Sequence, residues 1–171
     1  MTDQWRIYTE ATRCLEEGRA PLRLCLQAAA GTGKSFLLET LFLRAILNGH
    51  SVKAAAPTGI AAARLRMPRT PLPATTLHYL FGLSIDGESK IDLENPADEG
   101  FKRIAEMTLL IVDEASMIDD CTWHQVRDQL SSLGAKNSFA QHYWETPGPG
   151  FLWACSHHCS NGLEAAAARD F

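Results

Sequence analysis

Residues 22–49 leave a folding chain few choices. LRLCL (22–26) is a short apolar run of strand length, and the glycine-bearing segment AGTGKS follows at once. From Gly33 to Asn48 the apolar residues Phe36, Leu37, Leu38, Leu41, Phe42, Ala45, Ile46 and Leu47 recur at helical spacing, and Gly49 stands where a helix would end. A buried strand that turns through glycines into a helix is the opening unit of a parallel sheet, because the helix buries its apolar face by folding back over the strand. The alternation continues down the chain. Residues 52–56 (VKAAA) read as a second strand, 58–65 as a helix, and 75–83 as another helix that Thr75 or Thr76 can cap. Residues 109–112 (LLIV) form an unbroken apolar run, the pattern of a central strand covered on both faces. The expected architecture is α/β, a parallel sheet with helices on both faces.

Two stretches interrupt this order. Residues 66–74 contain Pro68, Pro71 and Pro73 and read as an irregular loop, while 86–100 are charged and turn-rich and read as a surface excursion. Trp123, His124, Val126 and Leu130 lie on an expected helix after Asp120 and are read as packing residues. Beyond about Gly134 neither a strand nor a helix period is visible until a short alanine-rich end. Residues 1–133 are therefore expected to fold, and 134–171 to be an irregular tail, poorly ordered or translated from the wrong frame. In that tail Tyr143, Trp144, Phe151 and Trp153 lack the basic neighbours of a base-stacking platform. Cys155, His157, His158 and Cys159 supply one C-x3-C without a second ligand pair, a poor match to zinc.

Composition narrows the function classes. The 171 residues are 46% hydrophobic and 21% charged, which fits a globular chain rather than a disordered tail. A net charge of -4 means that any nucleic-acid contact must be local. Five cysteines at irregular spacing fit reduced thiols better than a disulfide framework. No apolar run approaches the roughly 20 residues of a membrane span, and the first residues lack a secretory pattern, so a soluble intracellular protein is expected.

Two segments carry chemistry. GTGKS (31–35), after a strand and opening a helix, presents successive backbone N–H groups and a positive helix end to an anion such as a triphosphate. Lys34 would reach the β- and γ-phosphates and Ser35 would ligate Mg²⁺, with Ala30, Gly31, Thr32, Gly33 and Phe36 completing the nucleotide contacts. The full phosphate-loop pattern, G-x4-G-K-S/T, has glycine where this chain has Ala28. In LLIVDEAS (109–116) an apolar strand ends in two acids, so Asp113 can hold Mg²⁺ through water and Glu114 can orient or deprotonate an attacking water. Glu114 favours nucleotide hydrolysis over phosphoryl transfer to a small acceptor.

GTGKS (31–35), AAPTGIAA (55–62), TTLH (75–78) and LLIVDEASMID (109–119), in this order, resemble the first motor lobe of superfamily 1 DNA helicases of the PIF type, relatives of RecD. The likeness runs over roughly residues 2–133. It implies a RecA-like P-loop NTPase lobe, incomplete at its C-terminal end, that uses ATP and Mg²⁺ and moves 5′-to-3′ on single-stranded DNA. Roles in replication, repair, recombination and telomere maintenance, in nucleus or mitochondrion, follow from the same likeness. By position it gives Pro57, Thr58, Gly59, Thr76 and His78 a DNA-contact role and makes Gln4 the glutamine that reads the adenine edge. An ordinary surface glutamine is the other reading of Gln4. Arg64, Arg66 and Arg69 crowd the segment after PTGIAA and would neutralise phosphates, or else form a solvated face; His78 would touch DNA, or pack on Tyr79 or Phe81.

One family feature is missing. After the Asp-Glu strand the family continues into a strand bearing G-D-x-x-Q-L-P-P, and no such segment occurs here. Nor do the arginine-bearing motifs of a second lobe, worth ~10³ to 10⁵ in rate where an arginine finger is present. The chain alone is thus expected to bind nucleotide weakly and turn it over poorly. A nucleotide- or DNA-binding module without motor activity, and another P-loop ATPase or nucleoside kinase, remain the alternatives.

Overall fold

The computed structural model describes residues 3–17, 23–27, 32–65, 74–84, 89–136, 150–155 and 164–167. Helix α1 (Asp3–Glu17) precedes strand β1 (Arg23–Gln27), and α2 (Lys34–Leu47) leads to β2 (Val52–Ala56). Short helix α3 (Gly59–Arg64) is followed by β3 (Thr75–Thr76), α4 (Leu77–Phe81) and α5 (Glu99–Ala105). Strand β4 (Leu109–Val112) runs through a single 3-10 turn (Ala115–Met117) into α6 (Asp120–Lys136), and β5 (Gly150–Cys155) and β6 (Glu164–Ala167) complete the order.

The six strands make one sheet in the order β3-β2-β4-β5-β1-β6. The first five are mutually parallel, and only edge strand β6 runs antiparallel, against β1. Side chains alternate across the sheet as strand geometry requires. Leu109 and Ile111 face a core built from α1, α2 and α3, where Ile7, Ala11, Leu38, Leu41, Phe42 and Leu65 are buried. Leu110 and Val112 face the opposite core, filled by Leu77, Leu80, Phe81, Ile104, Val126 and Leu130 of α4, α5 and α6. The expected two-sided burial of LLIV is what the structure contains.

Local signals explain most boundaries. Gly49 takes a left-handed φ of 83°, and the amides of Gly49 and His50 return to the carbonyls of Ile46 and Ala45, closing α2 as a Schellman turn. Asp98 caps α5 by accepting from the Phe101 amide at 2.8 Å. Across the molecule, Gln129 of α6 donates Nε2 to the Phe81 carbonyl at 2.8 Å and to Ser89 Oγ at 3.0 Å, fixing the end of α4 to α6.

The structure corrects the reading of the C-terminal stretch. Residues 150–155 are a strand, not irregular chain, and lie between β4 and β1, with Leu152 opposite Leu24 on one side and Ile111 on the other. The physical reason is non-local: FLWA becomes a strand because two strands from distant parts of the chain offer it ladders on both sides. Helix α1 is a further element absent from the expected order, although Ile7, Ala11 and Leu15 recur every fourth residue and pack on the first core. The segment 86–100 ends in α5 rather than in loop.

Candidate nucleotide and nucleic-acid site

Parallel strands put their carboxyl ends on one rim of the sheet, and the site residues gather there. Gly33 sits at φ 85° before Lys34 opens α2, and its carbonyl accepts the first helical bond from Leu37 N at 3.0 Å. A β-carbon at Gly33 would be strained by that φ and would collide with Gln4 Nε2. Gln4 Nε2 in turn donates to the Thr32 carbonyl at 2.7 Å. This contact fastens α1 to the glycine turn and brings Gln4 beside it. Ser35 and Phe36 are exposed in the first turn of α2. Ala30 and Gly31 lie outside the described residues.

On β4's side, the Asp113 amide donates to the Ala55 carbonyl at 3.1 Å, which extends the β2–β4 ladder by one residue and fixes the carboxylate at the rim. Burial pushes the Asp113 carboxyl above its usual pKa; the Glu114 amide, donating to its Oδ1 at 2.9 Å, opposes this. The negative Glu114 adds to the rise, and the ammonium of Lys34 lowers it. The charge of Lys34 thus acts on the Asp113 carboxyl although β5 separates β1 from β4. Glu114 adopts φ 54°, ψ 37°, a left-handed conformation uncommon outside glycine, asparagine and aspartate, before the 3-10 turn begins. Such strain concentrates at functional corners.

The second group of residues follows β2 and β3. Thr58 caps α3, its Oγ1 accepting from Ala61 N at 3.2 Å, and Thr76 caps α4 in the same way through Tyr79 N at 3.2 Å. Because Ala56 pairs with Thr76 across the β2–β3 ladder, the two caps emerge side by side, with Pro57 and Gly59 flanking one and His78 following the other. Each capping hydroxyl accepts from the backbone and keeps its own proton to donate. Arg64 is exposed at the far end of α3, about 9 Å along the helix axis from Thr58. Arg66 and Arg69 lie outside the described residues, as do His157, His158 and Cys159. Among the described residues there is no cluster of three or more His, Cys, Asp or Glu suited to a metal, and no helix is long and apolar enough to cross a membrane.

A family model described as an AAA domain matches residues 10–140, from α1 through α6. The chain belongs to that family. Among solved structures, the Bacteroides Pif1 complex with ADP-AlF4 aligns at 24% identity and TM-score 0.61 over 91% of this chain and 32% of its own. Candida albicans Pif1 helicase aligns at 21% identity and TM-score 0.60, over 91% of this chain and 32% of that one. Bacteroides Pif1 bound to ssDNA aligns at 22% identity and TM-score 0.54, over 85% and 30%. No curated protein matches. The fold of this AAA-domain chain is thus the RecA-like P-loop lobe found in Pif1 helicases, and the chain spans about a third of the length of the structures it matches.

What sequence reasoning missed at this rim is Arg103. Its Nη2 and Nε donate to the carbonyls of Tyr79 and Leu80, tying α5 to the helix that carries His78. Nothing in the sequence marks an arginine 24 residues away as its partner.

Proposed function

We propose that this chain is the nucleotide-binding first motor lobe of a PIF-type DNA helicase, which couples ATP hydrolysis to 5′-to-3′ movement along single-stranded DNA. The observation that carries the reading is the convergence of the Lys34 turn and the Asp113–Glu114 corner on one rim, beside the paired caps Thr58 and Thr76. The donor set suits Mg²⁺: a hydroxyl and a half-buried carboxylate are hard oxygen ligands, and a carboxylate whose charge is disfavoured by burial is stabilised by a cation. Ser35 and Asp113 would hold the ion, which when bound neutralises charge on the phosphates. Lys34 would hold the β- and γ-phosphate oxygens, with Ala30, Gly31, Thr32 and Gly33 offering backbone N–H groups. Gln4 and Phe36 would contact the nucleotide, Gln4 at the adenine edge. Glu114 would orient the attacking water and accept its proton. Pro57, Thr58, Gly59, Thr76, His78, Arg64 and Arg66 would follow the DNA backbone, a reading in keeping with the ssDNA-bound relative.

A second reading is favoured by one observation. Strand β5 occupies the place after the Asp-Glu strand, yet the chain there reads GFLWACSHHCSN, without the G-D-x-x-Q-L-P-P segment. A lobe that binds nucleotide and DNA but turns over slowly would fit that sequence. Calorimetry of this chain with Mg·ATP, together with a DNA-stimulated phosphate-release assay on the reconstituted full-length enzyme that carries this lobe, separates the two. The helicase reading expects binding that Lys34→Ala abolishes, and release that single-stranded DNA stimulates and Glu114→Gln lowers by ~10² to 10⁴ while binding survives. Binding without stimulated release would select the second reading, and turnover retained in both variants would remove the assigned site.

A further inference from the structure

Six large apolar side chains are exposed among the described residues: Trp5, Phe36, Leu47, Ile60, Tyr79 and Met117. Phe36, Ile60, Tyr79 and Met117 share a position in the fold, each falling in the first turns after the carboxyl end of a parallel strand, β1, β2, β3 and β4 respectively. They therefore stand on the ligand-binding rim. Phe36 is at the nucleotide end, and the rest lie along the β2, β3 and β4 segment that carries Thr58, Thr76 and His78.

Tyr79 is set apart by how it is held. The residue is 63% exposed, yet the Arg103 guanidinium lies over one face of its ring with Cζ 4.9 Å from the ring centroid. That guanidinium is itself immobilised, Nη2 donating to the Tyr79 carbonyl at 3.1 Å and Nε to the Leu80 carbonyl at 3.3 Å. The Tyr79 amide is engaged by Thr76 Oγ1, so its backbone is fixed from both sides. The result is an aromatic ring with one face backed by a fixed cation.

We infer that Tyr79, backed by Arg103, is a stacking ledge for a base of single-stranded nucleic acid; the inference rests on the DNA-binding reading above and extends it from phosphates to bases. A ring already ordered by Arg103 loses little side-chain freedom when a base lies on it. Every base has a π face, so one aromatic ledge serves a strand of any sequence, and the neighbouring cation adds attraction for the polyanion. The setting favours nucleic acid over a covering protein surface, because the apolar residues of this rim alternate along the chain with Thr58, Thr76 and His78, side chains that can donate to phosphates.

The test is equilibrium binding of the 171-residue chain to a dT oligomer and to an abasic deoxyribose-phosphate oligomer of equal length, by fluorescence anisotropy over a salt series. Tyr79→Leu should weaken dT binding roughly 5- to 150-fold. It should leave the abasic oligomer and the salt slope unchanged, since no phosphate contact is removed, and Tyr79→Trp should restore dT binding. Unchanged dT affinity in Tyr79→Leu overturns the ledge and marks a ring that rests on protein; an equal loss on both oligomers overturns it too and marks a general disturbance. The two readings separate cleanly. If the parent chain binds dT and Arg64→Ala flattens its salt slope while Tyr79→Leu does nothing, the ledge alone falls; if the parent binds neither oligomer, both fall.

Discussion

At the scale of single residues, Asp113 shows how a site and its scaffold make opposite demands. Burial raises its carboxyl pKa, so the folded chain holds that proton more tightly than the unfolded chain does. Stability from this group is therefore greatest below the ordinary aspartate value and declines as pH rises through the raised folded value. Asp113→Asn keeps an oxygen to accept the Glu114 amide and removes the buried charge. It should raise Tm at pH 7, with the gain vanishing in acid, while nucleotide binding loses its dependence on Mg²⁺; thermal melts at several pH values and metal titrations check both halves. A variant that melts lower at pH 7 would show that the pull of Lys34, not burial, dominates at this corner. Glu114 pays a similar local cost in its left-handed backbone, which no reading of residue type would have supplied.

At the scale of elements, what was legible in the sequence is what local chemistry decides. Leu109–Val112 is apolar at every position and is buried at every position; the β1 to α2 unit announced itself through glycines and helical spacing. The sequence offers Thr75 or Thr76 as a cap and Thr76 is the one that caps α4, but the two-residue β3 that both threonines form exists only because β2 lies alongside. Short elements of this kind are set by neighbours rather than by propensity. Helix α6 shows a local cap at work. Asp119 accepts from the Thr122 amide at 2.8 Å and from its hydroxyl at 2.7 Å, and these bonds hold its carboxyl below the usual range. Asp119→Ala should lower Tm by roughly 2 to 4 °C near neutral pH. Because the folded pKa is depressed, the difference from the parent should shrink as pH falls from the ordinary aspartate value through the folded one. A pH-independent difference would assign the effect to packing instead of the cap.

At the scale of the whole molecule, the candidate site depends on a strand that the sequence did not advertise. The nucleotide turn follows β1 and the acid pair follows β4, and these two strands never touch; β5 joins them, pairing with β1 from Arg23 to Gln27 and with β4 from Leu109 to Val112. FLWA was unreadable as a central strand because prolines and glycines precede it and because its partners lie far away in sequence. The order of the sheet nevertheless makes it the bridge between Lys34 and Asp113. Ending the chain after Lys136 therefore does more than trim an irregular tail. It strips β1 of both its partners, β5 and β6, leaves β4 with an unpaired edge, severs β1 from β2 and β4, and leaves α1 and α2 to hold the two halves through the first core alone. The shortened chain should lose its cooperative melt and with it the affinity for Mg·ATP, both measurable by circular dichroism and calorimetry against the 171-residue parent. A sharp melt and intact nucleotide binding in the shortened chain would instead mean that residues 1–136 close their own sheet, with β1 and β4 brought together directly, and would move the domain boundary back to where the sequence alone had placed it.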